Sequence, residues 1–181
     1  MEVVLFDREN QTYRKELADL LITCFPHCYT DGAMEEVEEC LSEDRIAVMA
    51  LEGGRLVGFV GAAPHYGVTG WELHPLAVVP AFQGQGIGKE LVSVLEAEVF
   101  KKGGVTLYLG TDDEFDKTSL SGVDLYDHLW DRIANIRNLK NHPYAFYQKQ
   151  GFQIVGVLPD VNGYGKPDIY MAKRLTDLKK D

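Results

Sequence analysis

The sequence predicts an α/β protein with a mixed, mostly antiparallel central sheet flanked by helices. Three observations predict it. Apolar runs with strand character alternate with stretches of helical period along the chain. Three strand-like runs follow one another between Arg45 and Val79, an order that a doubly wound parallel sheet does not produce. A glycine-rich stretch, FQGQGIGKE at residues 82–90, then opens a helical pattern.

The elements follow in order. Glu2 to Phe6 reads as a short strand. Residues 12–24 place Leu17, Leu20, Leu21 and Cys24 on one helical face. Asp31 is a candidate cap for a second helix running to about Ser42, apolar at Met34, Val37 and Leu41. Arg45–Leu51 and Arg55–Ala62 are apolar strands, and Glu52-Gly53-Gly54 between them is a hairpin signal. Trp71–Val79 is a further strand, ended by Pro80. Gly86–Lys102 is a helix that buries Ile87, Leu91, Val94, Leu95 and Val99, and Val105–Gly110 is the next strand. An acidic, polar loop follows, and Leu125–Leu139 then has a near-helical period. Pro143 suits the first turn of a short helix that Gly151 ends. Phe152–Leu158 and Asp168–Lys173 are the closing strands.

With 181 residues, 45% of them hydrophobic, the chain suits one domain spanning 1–181 with an ordinary core. No apolar run approaches membrane-spanning length, and MEVVLFDREN lacks the basic and apolar regions of a secretory signal. A cytoplasmic location is expected. The formal net charge of −10 argues against a nucleic-acid partner, which needs a basic face. It suits a cationic partner, or it serves solubility alone. Cys24, Cys28 and Cys40 are too few and too loosely spaced for a disulfide framework. Cys24, His27 and Cys28 have no second matched pair, so no metal is expected.

The glycine loop fails two familiar tests. Gly84, Gly86 and Gly88 give GxGxG, one residue short of a dinucleotide fingerprint. Gly84 to Lys89 gives GxxxGK, and Glu90 stands where a P-loop needs a hydroxyl for magnesium. The physics of such a loop remains. Glycines let several backbone N–H groups converge on one anion, and the helix that follows adds partial positive charge. A pyrophosphate is therefore a candidate ligand; a plain strand-to-helix turn is the other reading.

Gln83-Gly84-Gln85-Gly86-Ile87-Gly88 resembles the Q/R-x-x-G-x-G/A signature of the GNAT family of N-acetyltransferases. The strand LHPLAVVPAF before it and the segment HPYAFYQKQGFQIVG well after it are similar to that family's, in the same order. YGVTGWELHPL, YLGTDDE, NHPYAFYQKQGF and GYGKPDIYMAK resemble one subgroup, the aminoglycoside 6′-N-acetyltransferases of the small chromosomal type. The resemblance runs to about Leu175. It departs at Cys24-Phe25-Pro26, where the subgroup tends to carry Trp-Pro; Phe25 keeps an aromatic wall without the indole donor.

The resemblance implies the GNAT fold, acetyl-CoA as co-substrate, and attack of a free amine on the thioester. Gln83, Gly84, Gln85, Gly86, Ile87, Gly88 and Lys89 would hold the pyrophosphate. Leu76, Ala77 and Val78 would pair with the pantetheine amides, the Leu76 N–H also serving as oxyanion donor. Glu72 and His74 are the base candidates. Residues i and i+2 of a strand share a face, so their side chains are expected to project together with that of Leu76. Tyr147 is the expected partner of the thioester sulfur, and His142 a candidate cofactor contact.

An acidic substrate side would suit a polycationic amine. Asp112 is the first choice in a loop that also holds Asp113, Glu114 and Asp116, and Asp168 is a weaker one. Phe25 and Tyr66 are candidate walls for sugar rings, and Glu35, Glu36, Glu38 and Glu39 read as a polar helix face. The resemblance also implies a homodimer. Acetylation of polyamine or protein amines, and non-catalytic acyl-CoA sensing, remain alternatives.

Overall fold

The computed structural model describes residues 1–175, so the last six residues of the expected 1–181 domain lie outside the described residues. The chain forms two compact units, residues 1–107 with Leu175, and residues 108–174.

The first unit is built on four antiparallel strands in the order β1 (Glu2–Leu5), β2 (Ile46–Glu52), β3 (Arg55–Tyr66) and β4 (Gly70–Val78). The β2–β3 hairpin closes where predicted. Gly53 and Gly54 both have positive φ (57° and 78°), the twist that a two-residue hairpin turn requires. Helices α1 (Gln11–Cys24), α2 (Pro26–Tyr29) and α3 (Ala33–Cys40) come between β1 and β2. Asn10 caps α1 by accepting the N–H groups of Thr12 and Tyr13. The expected cap Asp31 does not act: α3 starts after Gly32, which is left-handed at φ 96° and supplies no side-chain acceptor. The short α2 is an element that the sequence reading lacks.

Two layers of core result. Leu17, Leu20, Leu21, Val37, Cys40 and Leu41 pack with Met49, Phe59 and Ala77 on one face of the sheet. Helix α4 (Ile87–Lys101) buries Ile87, Leu91, Val92, Leu95 and Val99. It covers the opposite face, because a Cβ on Gly58, the neighbour of Phe59, would meet Leu91 at 3.0 Å and Ile87 at 3.2 Å. Residue 92, not the expected Val94, carries that buried face.

The chain enters the second unit within β5 (Thr106–Asp112) and continues through α5 (Leu129–Ala134), α6 (Tyr144–Lys149), β6 (Gln153–Leu158) and β7 (Asp168–Arg174), with β7 between β5 and β6. Helix α6 ends as predicted. Gly151 is left-handed at φ 91°, and the N–H of Phe152 returns to the carbonyl of Tyr147 at 3.1 Å. The helix expected over Leu125–Leu139 shrinks to six residues. Asp124 accepts the N–H of Tyr126 in a local turn, and His128 is left-handed at φ 57°, so no helix passes through 124–128.

Candidate active site

Strand β4 carries a bulge at its centre. Leu73 pairs with Ala62 and Leu76 with Val60, so His74 and Pro75 together face Gly61. A Cβ on Gly61 would lie 2.7 Å from the His74 carbonyl oxygen, which explains the glycine. The bulge corrects one expectation. Val60 and Ala62 share a sheet face, so Leu76 lies on the face of Leu73, opposite that of Glu72, which pairs with Ala63. The side chain of Leu76 therefore does not project with Glu72 and His74. Its expected role, through the backbone N–H, does not depend on that projection.

Both polar side chains of β4 have partners within the first unit. The Glu72 Oε2 lies 3.1 Å from Nδ1 of His65, a residue of β3 that the sequence reading did not single out. No sequence spacing points to it, since only pairing of β3 with β4 brings the two together. His74 Nε2 lies 3.2 Å from the Tyr29 hydroxyl and 3.8 Å from Glu36 Oε1. Phe25, between α1 and α2, packs edge-on against Tyr29 with ring centroids 5.9 Å apart. Tyr66, at the end of β3, is 72% exposed and rests its ring against Gly70, where a Cβ would come within 3.0 Å of the ring.

The glycine loop links β4 to α4. Gln83, Gly84, Gln85 and Gly86 are exposed, as is Lys89, while Ile87 is buried as the first anchor of the helix. Gly84 and Gly86 have positive φ (76° and 89°), and no atom crowds either, so the backbone twist alone demands glycine. Gly86 caps α4 without a side chain, leaving the first amides of a 15-residue helix with no capping group on them. That is the arrangement an anion needs. The Gln83 side chain donates to the carbonyl of Val78 at 3.0 Å, and the Cys24 thiol approaches the same oxygen at 3.5 Å. Gln83 thus ties the loop to the end of the strand. Ala77 is buried in the core beside Phe59.

In the second unit the acidic loop is held mainly by its own bonds. Asp113 is fully buried and its carboxylate accepts the N–H groups of Lys117 at 2.7 Å and Thr118 at 2.8 Å. Asp116 pairs with Lys166 at 2.7 Å and accepts the Ser121 hydroxyl. Glu114 remains exposed. Asp112, also exposed, accepts the side-chain amide of Asn162. Asp168 opens β7 beside Gly110, where a Cβ would lie 2.5 Å from its Oδ2.

His142 is 1% exposed. Its Nε2 bonds the Asp112 carbonyl at 2.9 Å and its Nδ1 accepts the Tyr144 N–H at 3.2 Å. Both ring nitrogens are engaged inside the unit, and burial holds the ring below the usual histidine range. Through these two bonds His142 fixes the end of β5 against the start of α6. Tyr147 is also buried, packed edge-on between Phe146 and Phe152 at 5.1 and 5.7 Å. Burial pushes its phenol well above the ordinary range, so it keeps its proton at any working pH.

A glycine loop thus enters an uncapped helix, a bulged strand precedes it, and two titratable side chains lie on that strand. The model of the acetyltransferase (GNAT) family matches residues 14–129, and the chain belongs to that family. Within it, the chain is similar to an aminoglycoside 6′-N-acetyltransferase solved in complex with coenzyme A, with 52% identity over 97% of this chain and 98% of that one and a TM-score of 0.96. The aminoglycoside 6′-N-acetyltransferase from Enterococcus faecium has the same identity and coverage, with a TM-score of 0.94. An aminoglycoside 6′-acetyltransferase of type Ii is 44% identical over 97% of this chain, with a TM-score of 0.79. No curated protein matches the chain.

Proposed function

We propose that the chain transfers the acetyl group of acetyl-CoA to the 6′-amine of aminoglycosides, and so confers resistance to them. The observation that carries this reading is the 52% identity, over nearly the whole of both chains, to an aminoglycoside 6′-N-acetyltransferase solved with coenzyme A. The residues fit the group. The exposed loop through Gly84 and Gly86 and the uncapped start of α4 suit its pyrophosphate, and bound acetyl-CoA supplies the activated thioester.

In this reading Glu72 holds the acceptor ammonium and, with His74, takes its proton, leaving the nitrogen lone pair free to attack. The Leu76 N–H faces the developing oxyanion. Leu76, Ala77 and Val78 offer backbone groups to the pantetheine arm. Tyr147 donates its retained proton as a hydrogen bond to sulfur as charge develops there. Full transfer from a phenol raised above its ordinary value to a thiol near 8.5 runs uphill. Asp112 and Asp168 attract the remaining ammonium groups, and Phe25 and Tyr66 give flat surfaces to the sugar rings. The whole chain working as one domain, a cytoplasmic location and a homodimer belong to the same proposal. No helix among the described residues is long and apolar enough to cross a membrane.

Thiol release from acetyl-CoA, followed in parallel with kanamycin, spermidine and a lysine peptide, tests the reading. Turnover with kanamycin is expected. Failure with every 6′-amino aminoglycoside sinks it. Tight coenzyme A binding without turnover on any acceptor replaces it with a sensor.

A further inference from the structure

Glu36 stands apart from the acidic run on α3. Glu38 is paired with Arg14 and Glu39 with Arg45. Glu36 faces neither arginine. Its side chain is only 19% exposed, and its Oε1 accepts the buried Cys40 thiol at 3.4 Å and lies 3.8 Å from His74 Nε2. The Tyr29 hydroxyl meets the same Nε2 at 3.2 Å.

The tautomer of His74 sets which atom donates in that contact. Burial first, and the charge of Glu36 second, raise the Tyr29 phenol far above its ordinary value, so the proton stays on oxygen. Among the described residues, His74 Nε2 is the one acceptor in hydrogen-bond contact with that hydroxyl. A hydroxyl that donates here leaves Nε2 as the acceptor and the neutral ring with its proton on Nδ1.

We propose that Tyr29 and Glu36 are positioning residues for His74: the Tyr29 hydroxyl holds the neutral ring, and the Glu36 carboxylate holds it once Nε2 has gained a proton. This rests on the reading in which His74 helps to deprotonate the acceptor amine. In that step an ammonium N–H bond breaks and its electron pair stays on the amine nitrogen; the Tyr29 O–H to Nε2 hydrogen bond gives way, and the freed Nε2 lone pair forms the new N–H bond. The ring then changes from acceptor to donor, and Glu36 is the carboxylate beside it. Other titratable groups around this pair are Glu72, on the same strand and paired with His65, Cys40, behind Glu36, and Cys28 and Glu39, whose charges also act on Tyr29. Tyr29 also joins this machinery to Phe25, so the proposed sugar wall and the proton acceptor share one support.

Two measurements on the full chain decide it. Nitrogen-15 spectra of the histidine rings, at a pH where His74 is neutral, are expected to show the Nδ1–H tautomer in the wild type. In Tyr29→Phe a shift toward Nε2–H is expected. An unchanged tautomer in the variant overturns the proposal. Kinetically, Tyr29→Phe is expected to lower kcat about tenfold, part of what a positioned base supplies, with KM for acetyl-CoA held within about twofold. The same change in a His74→Ala background is expected to cost nothing further, and an equal loss there also overturns it. Glu36→Asp is expected to retain more of kcat than Glu36→Gln; equal losses remove the role of its charge. A wild type that acetylates no aminoglycoside breaks the functional reading, while the ring spectra still decide the positioning of His74.

Discussion

The two polar regions of this chain treat their charges in opposite ways. On β4, Glu72 and His74 stay partly exposed and meet other side chains, His65, Tyr29 and Glu36. In the loop after β5, Asp113 and Asp116 are satisfied by that loop and by Lys166. An acid that is half solvated beside an imidazole can exchange a proton or hold a cation. A buried acid that accepts two backbone N–H groups is part of the scaffold. The difference separates side chains available for chemistry from side chains that shape the surface around it.

The sharpest way to break this comparison is Asp113→Ala. One buried and one part-buried N–H group lose their acceptor, and each unsatisfied buried group costs on the order of 1–3 kcal/mol. A loss of about 3 kcal/mol is expected, roughly 6–12 °C in Tm for a chain of this size, read by thermal unfolding. A stability within 0.5 kcal/mol of the wild type, roughly the spread of surface changes, would return Asp113 to the solvated side. Glu72→Gln makes the complementary test. The fold is expected to keep its Tm, while kcat/KM falls about 100-fold near neutral pH, or about 2.7 kcal/mol of transition-state stabilisation. The loss is expected to shrink at high pH, where the acceptor amine is already free. An equal loss at both pH values removes the general-base role.

His142 sharpens the comparison because it is a buried titratable ring with both nitrogens hydrogen-bonded inside its own unit. His142→Leu leaves the Asp112 carbonyl and the Tyr144 N–H unpaired, and about 2 kcal/mol of stability is expected to go. The pH dependence has a definite sign. Burial lowers the folded-state value, whereas the unfolded ring titrates near its ordinary value of about 6.5. Below that value the unfolded chain binds a proton that the folded chain resists, so stability is lost as pH falls through the folded-state value. Wild-type Tm is expected to drop more steeply than that of the variant from pH 7 toward 5. Parallel curves would remove the assignment.

Much of the fold was legible because local chemistry decides it. Gly53-Gly54 predicts its hairpin, Gly151 its helix end, and the glycines of 84–88 their turn into α4. The features that escaped depend on what a second segment does. The bulge at His74-Pro75 exists only in the pairing of β4 with β3, and it moves the Leu76 side chain to the other face. Glu36 looks like Glu38 and Glu39 until Arg14 and Arg45 have chosen their partners. The near-helical period of 125–139 gave no warning that Asp124 and His128 hold a turn. Leu125 is buried as that period predicts, but as an anchor outside the helix.

The smallest expected effect belongs to Asp116→Asn. Hydrogen bonds from Lys166 and Ser121 lower the carboxyl below its ordinary value. Such a group favours the fold above its unfolded value of about 3.9 and loses that favour as pH falls through the lowered one. The side chain is exposed, so water and salt screen the pair, and Tm near neutral pH is expected to move by no more than about a degree or two. Since Lys166 already occupies Asp116, KM for kanamycin is expected to stay within about twofold of the wild type. A tenfold rise in KM with unchanged Tm would show that Asp116 leaves Lys166 for a substrate ammonium. The division between chemical and scaffolding acids would then fail at a loop carboxylate that is itself exposed and paired with a lysine.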